Sequence, residues 1–233
     1  MKTALIVGAS GGIGRGIATR LAREGWRILA HGRKSDALAH TLGEVGKAGG
    51  EGAAFEAELS DMGQVDALAG WASGQGPLDA VIWSAGGGRS VPTGAEALPE
   101  WERTLTTILH APMRLTALTL PAVRKAEGTY LYICGMYAKI GMAKMAAHCA
   151  GRHGLEGFAK ALFEEVREDG VGVTLLHPGF VYSPLTNTET LDPDKLVQIE
   201  DIAEMAATAL MMPNRACVME MMVRPQRSPY RNR

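Results

Sequence analysis

With 233 residues, 24 basic against 25 acidic side chains and a formal net charge of −1, the chain suits a single α/β domain and has no concentrated cationic face. Nucleic acid and acidic membrane surfaces are therefore excluded as expected partners. Its cysteines, Cys134, Cys149 and Cys217, are odd in number and lack C-x-x-C spacing, which argues against a disulfide framework or zinc site and fits a cytoplasmic compartment.

The apolar run at 4–7 is too short for a signal peptide core, and no later stretch approaches a membrane span. Thr3 to Val7 reads as a short buried strand that runs into Gly8, Ser10, Gly11, Gly12, Ile13 and Gly14, after which Ile13, Ile17 and Leu21 recur near the helix period. Strand, glycine turn and helix in that order make a phosphate cradle, because glycines let the backbone approach a pyrophosphate and the helix start offers unpaired N–H groups. The expected ligand is a dinucleotide.

Gly25 ends the first helix, and residues 26–31 read as a second strand ending in Gly32, Arg33 and Lys34. In a doubly wound fold this strand end meets the adenosine ribose, where a cation suits a 2′-phosphate and an acid suits a free hydroxyl. Arg33 and Lys34 thus favour NADP(H) over NAD(H), the remaining alternative being that no nucleotide is bound. Ser35 is expected to cap a helix striped by Leu38, Thr41, Leu42 and Val45, a weaker strand is expected over 52–59, and Ser60 is expected to cap a helix running to Trp71.

Residues 78–86 read as a fourth strand, followed by a loop opened by Gly87, Gly88 and Arg89. From Pro99 a long helical segment carries Trp101, Leu105, Ile108, Leu109, Met113, Leu115 and Leu118, interrupted by Pro112 and Pro121. Strands over 129–134 and 171–176 bracket a helix at 147–167, and a helix at 200–212 leads into a Met-rich strand at 217–223. Alternating strands and helices imply right-handed βαβ units, hence one doubly wound Rossmann domain with a parallel sheet spanning 1–233. The basic tail of Arg224, Arg227, Arg231 and Arg233 reads as solvated.

Gly8, Gly12 and Gly14 stand at G-x-x-x-G-x-G spacing, Ala85 and Gly86 close the fourth strand, and Pro178 and Gly179 follow the sixth. With the frame Gly154-Leu155-Glu156-Gly157-Phe158, the chain resembles the short-chain dehydrogenase/reductase family over nearly its whole length. That resemblance implies NAD(P)-dependent oxidation or reduction of a carbonyl or alcohol, with a small-molecule substrate. It implies nucleotide contacts at the glycine loop, at Glu58 and Leu59 beside the adenine, at Ala85 and Gly86, and at Pro178, Gly179, Val181 and Ser183 around the nicotinamide carboxamide. Trp83 and Ser84 replace the family's asparagines before Ala85. The family's subunits pair through helices that match the segment from Pro99 and the 147–167 helix, implying a homo-oligomer or a hetero-oligomer with a paralogue.

The family works with a Ser, a Tyr, a Lys and an Asn, and the same register puts Gly135, His148, Arg152 and Ile108 in those places. Two readings stay open. In one, His148 is proton donor or base and Arg152, a helical turn on, supports it and holds the nicotinamide ribose, with Lys144 depressing the imidazole pKa. Tyr137, Tyr182, Tyr132 and Lys139 are then candidates to line the same cleft. Tyr137 and Lys144 also echo the tyrosine-to-lysine spacing of the superfamily's enoyl reductases, although both precede the catalytic register. In the other reading the chain is a silent subunit beside an active relative, or a nucleotide- or ligand-binding module. The segments 87–98 and 183–198 carry no charge cluster that names a substrate.

Overall fold

The computed structural model describes residues 1–183, 186 and 188–231, so Arg233 of the basic tail lies outside the described residues. Seven strands form one parallel sheet in the order β3-β2-β1-β4-β5-β6-β7. They are β1 (Thr3–Val7), β2 (Arg27–Gly32), β3 (Gly52–Glu56), β4 (Ala80–Trp83), β5 (Thr129–Ile133), β6 (Gly172–Pro178) and β7 (Glu220–Val223). The helices are α1 (Gly12–Arg23), α2 (Ser35–Lys47), α3 (Met62–Gly74), α4 (Leu98–Leu105), α5 (Ala111–Ala126), α6 (Ala146–Val166) and α7 (Ile199–Leu210).

Successive strand residues face opposite sides, and the chain uses both. Leu5, Val7, Val81, Trp83, Tyr130 and Tyr132 pack with α3, α5 and α6, whereas Ala4, Ile6, Ile28, Ile82 and Leu131 pack with α1, α2 and α7. Apolar on both faces, the central strands read as continuous hydrophobic runs. Strand order reverses between β1 and β4, which opens a crevice at the carboxyl edge of the sheet.

Several local expectations are corrected. Ser35 is the first helical residue of α2, not its cap; extended Lys34 precedes it without a side-chain cap. Ser60 does not cap α3 either, because the Asp61 carboxylate accepts from the amides of Gly63 and Gln64, and an anion at a helix start outcompetes a neutral hydroxyl. β3 stops at Glu56, where the chain turns so that the Ala57 amide donates to Gly32, leaving Glu58 and Leu59 beyond the strand. β4 likewise stops at Trp83, β6 runs on to Pro178, and β7 starts only at Glu220.

The long helical segment is broken by a π-turn at Thr106–His110, not by the prolines themselves. Pro112 sits in the first turn of α5, where it lacks an N–H for the Ile108 carbonyl and its ring crowds that group. The widened turn just before it accommodates both defects, while Pro121 is absorbed inside α5. No helix among the described residues is long and apolar enough to cross a membrane.

Candidate active site

Gly8 ends β1 at φ +91°, and a Cβ there would fall 2.8 Å from the amide nitrogen of Ala85 at the end of β4. Gly14 is tighter still, since its Cβ would fall 2.3 Å from the Gly8 carbonyl oxygen. These two glycines let α1 start directly against the β1 exit. The N-cap is Gly11, which has no capping side chain, so the first-turn amides, lacking intrahelical acceptors, stay available to an anion.

The loop is braced by a residue that the sequence did not advertise. The amides of Gly8 and Ala9 both donate to the His31 carbonyl, at 3.1 and 2.8 Å. The His31 ring is buried, with Nδ1 3.3 Å from the Gly8 amide and Nε2 3.0 Å from the Ala57 carbonyl. Burial pushes its pKa down to about 4, so the ring is neutral, Nε2–H donating and Nδ1 accepting. Its only sequence signal was a polar residue in an otherwise apolar strand.

Because His31 pairs in register with Val7, Arg33 and Lys34 emerge beside the glycine turn at the same sheet edge. Both are exposed, and the Arg33 guanidinium lies 3.7 Å from the Glu58 carboxylate. The two residues expected at the ribose and adenine are thus neighbours. Leu59 is buried in the core.

The crevice continues into a cleft of about 570 Å³ lined by Ile13, Ser84, Gly86, His148, Arg152, Pro178, Gly179 and Val181, among others. It brings together parts of the glycine loop, the β4 end, α6 and the β6 end. Ser183 sits just outside the lining, its amide donating to the Thr186 hydroxyl at 2.8 Å. A second, polar depression of about 370 Å³ lies at the opposite edge, lined by Lys2, Asp79, Arg167 and Asn214 among others, away from the strand ends where open α/β sheets bind ligands.

His148 is mostly buried on α6 and packs edge-on against the Tyr137 ring, with centroids 5.1 Å apart. Its Nδ1 is sealed without a hydrogen-bond partner. Burial first, and the Arg152 charge second, push its pKa down to about 4. Lys144, expected to cause that shift, is not among its causes.

Arg152 is also buried, and its guanidinium donates to the Ile133 carbonyl at 2.8 Å and the Gly86 carbonyl at 2.6 Å, tying the β5 and β4 ends together. Its Nε has no partner. Ile108, fully buried, presses on this floor: a Cβ at Gly86 would meet its Cγ2 at 2.5 Å, and one at Gly151 its Cγ1 at 2.6 Å. Gly135 has φ +68° and its carbonyl accepts from His177 Nδ1 at 3.1 Å.

Of the four substitute groups expected in the cleft, Tyr137 lines it and the other three do not. Tyr132 is stacked on Tyr130 in the core, its hydroxyl 2.7 Å from that of Thr116. Lys139 is held by Glu156 at 2.5 Å and Glu220 at 2.6 Å, and Tyr182 lies outside the lining. Conversely, Arg224, read as part of a solvated tail, lines the cleft. Nothing local in the sequence signals this, because it depends on β7 closing the sheet beside β6.

A model of the short chain dehydrogenase family matches residues 2–194. The chain is 34% identical over 212 residues to an uncharacterized oxidoreductase of Myxococcus xanthus, covering 88% of this chain and 81% of that protein. It is 33% identical over 190 residues to a putative ketoacyl reductase of Streptomyces coelicolor, covering 79% and 72%. Among solved structures, a metagenomic short-chain oxidoreductase in complex with NADP superposes with a TM-score of 0.85 at 28% identity, covering 97% of this chain and 98% of that one.

Proposed function

Since this chain belongs to the short chain dehydrogenase family, we propose that it is an NADP(H)-dependent oxidoreductase that interconverts an alcohol and a carbonyl compound, with His148 exchanging the proton. The observation that carries this reading is the shared cleft, in which Ile13 of the glycine loop, the Pro178–Val181 segment and His148 face one space.

The residues fit a dinucleotide. Gly8 and Gly14 form a cradle that a Cβ would fill, α1 begins without a side-chain cap, and Arg33 presents a guanidinium at the β2 end. The nucleotide would be held by Gly8, Ser10, Gly11, Gly12, Ile13 and Gly14, by Arg33, Lys34 and Glu58 at its adenosine end, and by Ala85, Gly86, Pro178, Gly179, Val181 and Ser183 toward the nicotinamide, with Leu59 packed beneath Glu58 in the core. When bound, it supplies the hydride acceptor or donor. The NADP complex of the metagenomic relative supports that choice of nucleotide.

A ring with a pKa of about 4 is neutral near pH 7, which suits a base better than an acid. His148 therefore favours alcohol oxidation, taking the hydroxyl proton at Nε2 while Nδ1, sealed against Gly88, keeps the ring's own proton. Arg152, its terminal nitrogens engaged with two carbonyls, is the nearby cation that helps to keep the resting ring neutral, so that a proton taken from the hydroxyl is passed on to solvent and not retained.

Three further observations favour a second reading, a catalytically silent subunit or nucleotide-binding module. Arg152 is spent on the fold, Ile108 fills with hydrocarbon the place where the family keeps an asparagine, and Gly135 offers no hydroxyl. Exposed Met113 and Leu118 on α5 support pairing with a second copy or a paralogue.

Calorimetric titration with NADPH and then NADH, followed by alcohol and carbonyl screens on wild type and His148→Ala, separates these readings. The enzyme reading expects preferential NADPH binding and turnover that His148→Ala lowers at least about a hundredfold. Turnover retained in His148→Ala removes that residue's role, and nucleotide binding without turnover favours the silent reading.

A further inference from the structure

The cleft is lined mainly by apolar groups. Met136, Ile140, Phe180, Leu191, Leu196 and Tyr230 form its outer part, and Ile140, Phe180 and Tyr230 remain exposed there. An exposed apolar group concentrated at one opening marks a place where a hydrophobic ligand is bound. No Asp or Glu lies among the described lining residues, and two arginines do.

These two cations are not equivalent. Arg152 donates to the carbonyls of Ile133 and Gly86, so its charge serves the β4 and β5 ends. Arg224 has no carboxylate within salt-bridge distance among the described residues. On its other side Arg224 borders a depression that also holds Asp194, Lys195 and Asp201; Asp201 accepts from the Gln198 amide at 2.8 Å.

The position of Arg224 is built by the fold. It follows β7 directly, the Gly179 amide donates to the Val223 carbonyl at 2.9 Å, and a Cβ at Gly179 would meet Arg224 Cγ at 3.4 Å. The side chain therefore leaves the sheet edge over Gly179, with its stem against the cleft floor and its guanidinium without a hydrogen bond or ion pair among the described residues.

We infer that Arg224 is the anion-recognising residue of the substrate site, and that the substrate is a hydroxy or oxo compound with an apolar body and a carboxylate. An arginine fork matches the two oxygens of a carboxylate, and no acid among the described lining residues of the cleft repels the ligand. This rests on the oxidoreductase reading for what happens to the hydroxyl or carbonyl, but the binding claim is tested without turnover.

The probes are 4-phenylbutanoate and its neutral isostere 4-phenylbutanamide, titrated calorimetrically into the full chain near pH 7.5. The carboxylate is expected to bind about tenfold tighter than the amide in wild type, a ratio that falls to about one in Arg224→Gln and is partly restored in Arg224→Lys. Equal binding of the two probes in wild type, binding of neither, or an unchanged ratio in Arg224→Gln overturns the inference. A parallel loss of NADPH affinity in Arg224→Gln also overturns it, by assigning the guanidinium to the nucleotide. Failure of NADPH to bind wild type strikes the oxidoreductase reading alone, because the carboxylate-to-amide ratio is read without it.

Discussion

His31 and His148 show how burial, not a neighbouring charge, decides the protonation of single residues here. Both rings titrate near 4 in the folded chain, with desolvation the largest cause, whereas a solvated imidazole titrates near 6.5. Below about pH 6.5 the unfolded chain takes up protons that the native chain refuses, so this contribution to stability is complete above that pH. It is lost progressively as the pH falls toward about 4. Each ring steepens the dependence by about 1.4 kcal/mol per pH unit within that window. His148→Phe keeps a ring against Tyr137 and removes one titration. Urea unfolding between about pH 5 and 6 is expected to show a shallower slope for the variant by roughly that amount, and equal slopes would mean that His148 is already charged in the native protein.

The glycine turn shows what an element needs beyond composition. Gly11 and Gly14 look alike in the sequence, yet their surroundings differ by more than an ångström. A Cβ at Gly11 meets the Gly8 carbonyl oxygen at 3.5 Å, an ordinary contact, whereas at Gly14 the same oxygen lies at 2.3 Å. Gly14→Ala must therefore push α1 off β1, costing on the order of 2–3 kcal/mol as overpacking does, and it should abolish NADPH binding by displacing the first-turn amides. Gly11→Ala should shift stability by less than about 1 kcal/mol. Thermal melts and NADPH titrations of both variants make the comparison, and similar losses in the two would contradict the geometry. The spacing of these glycines was legible because three had to fall where strand, turn and helix meet. Ser35 and Ser60 were misread as caps because a hydroxyl signals a helix start only to within a residue. At α3 the adjacent Asp61 accepts two amides and wins.

At the scale of the whole molecule, legibility followed the range of the interactions. Parallel pairing could be reasoned from strands alternating with helices, since each βαβ unit is local in sequence, whereas the strand order is a finding of the structure. The site's partners could not: Arg152 reaches Gly86 across 66 positions, and the tail reaches the cleft only after all seven strands have been laid down. That tail is held by the Asp192 amide donating to the Pro229 carbonyl at 2.8 Å, the Arg231 amide to the Thr190 carbonyl at 3.1 Å and Arg231 Nε to the Thr188 carbonyl at 2.9 Å. The Tyr230 ring meets Phe180 edge-on, with centroids 5.9 Å apart. Between 224 and 231 only Pro229 is buried, so the tail adds little to the core while walling the cleft. A chain ended after Val223 keeps all seven strands, and its melting midpoint should stay within about 5 °C of wild type. NADPH affinity, set at the far side by the glycine turn and Arg33, should be preserved, while 4-phenylbutanamide binding weakens because the Tyr230 side of the cleft is gone. Retained amide binding would show that the tail is packing without a part in the site, and loss of NADPH binding would show that sheet edge and glycine turn are coupled more tightly than their separate contacts imply.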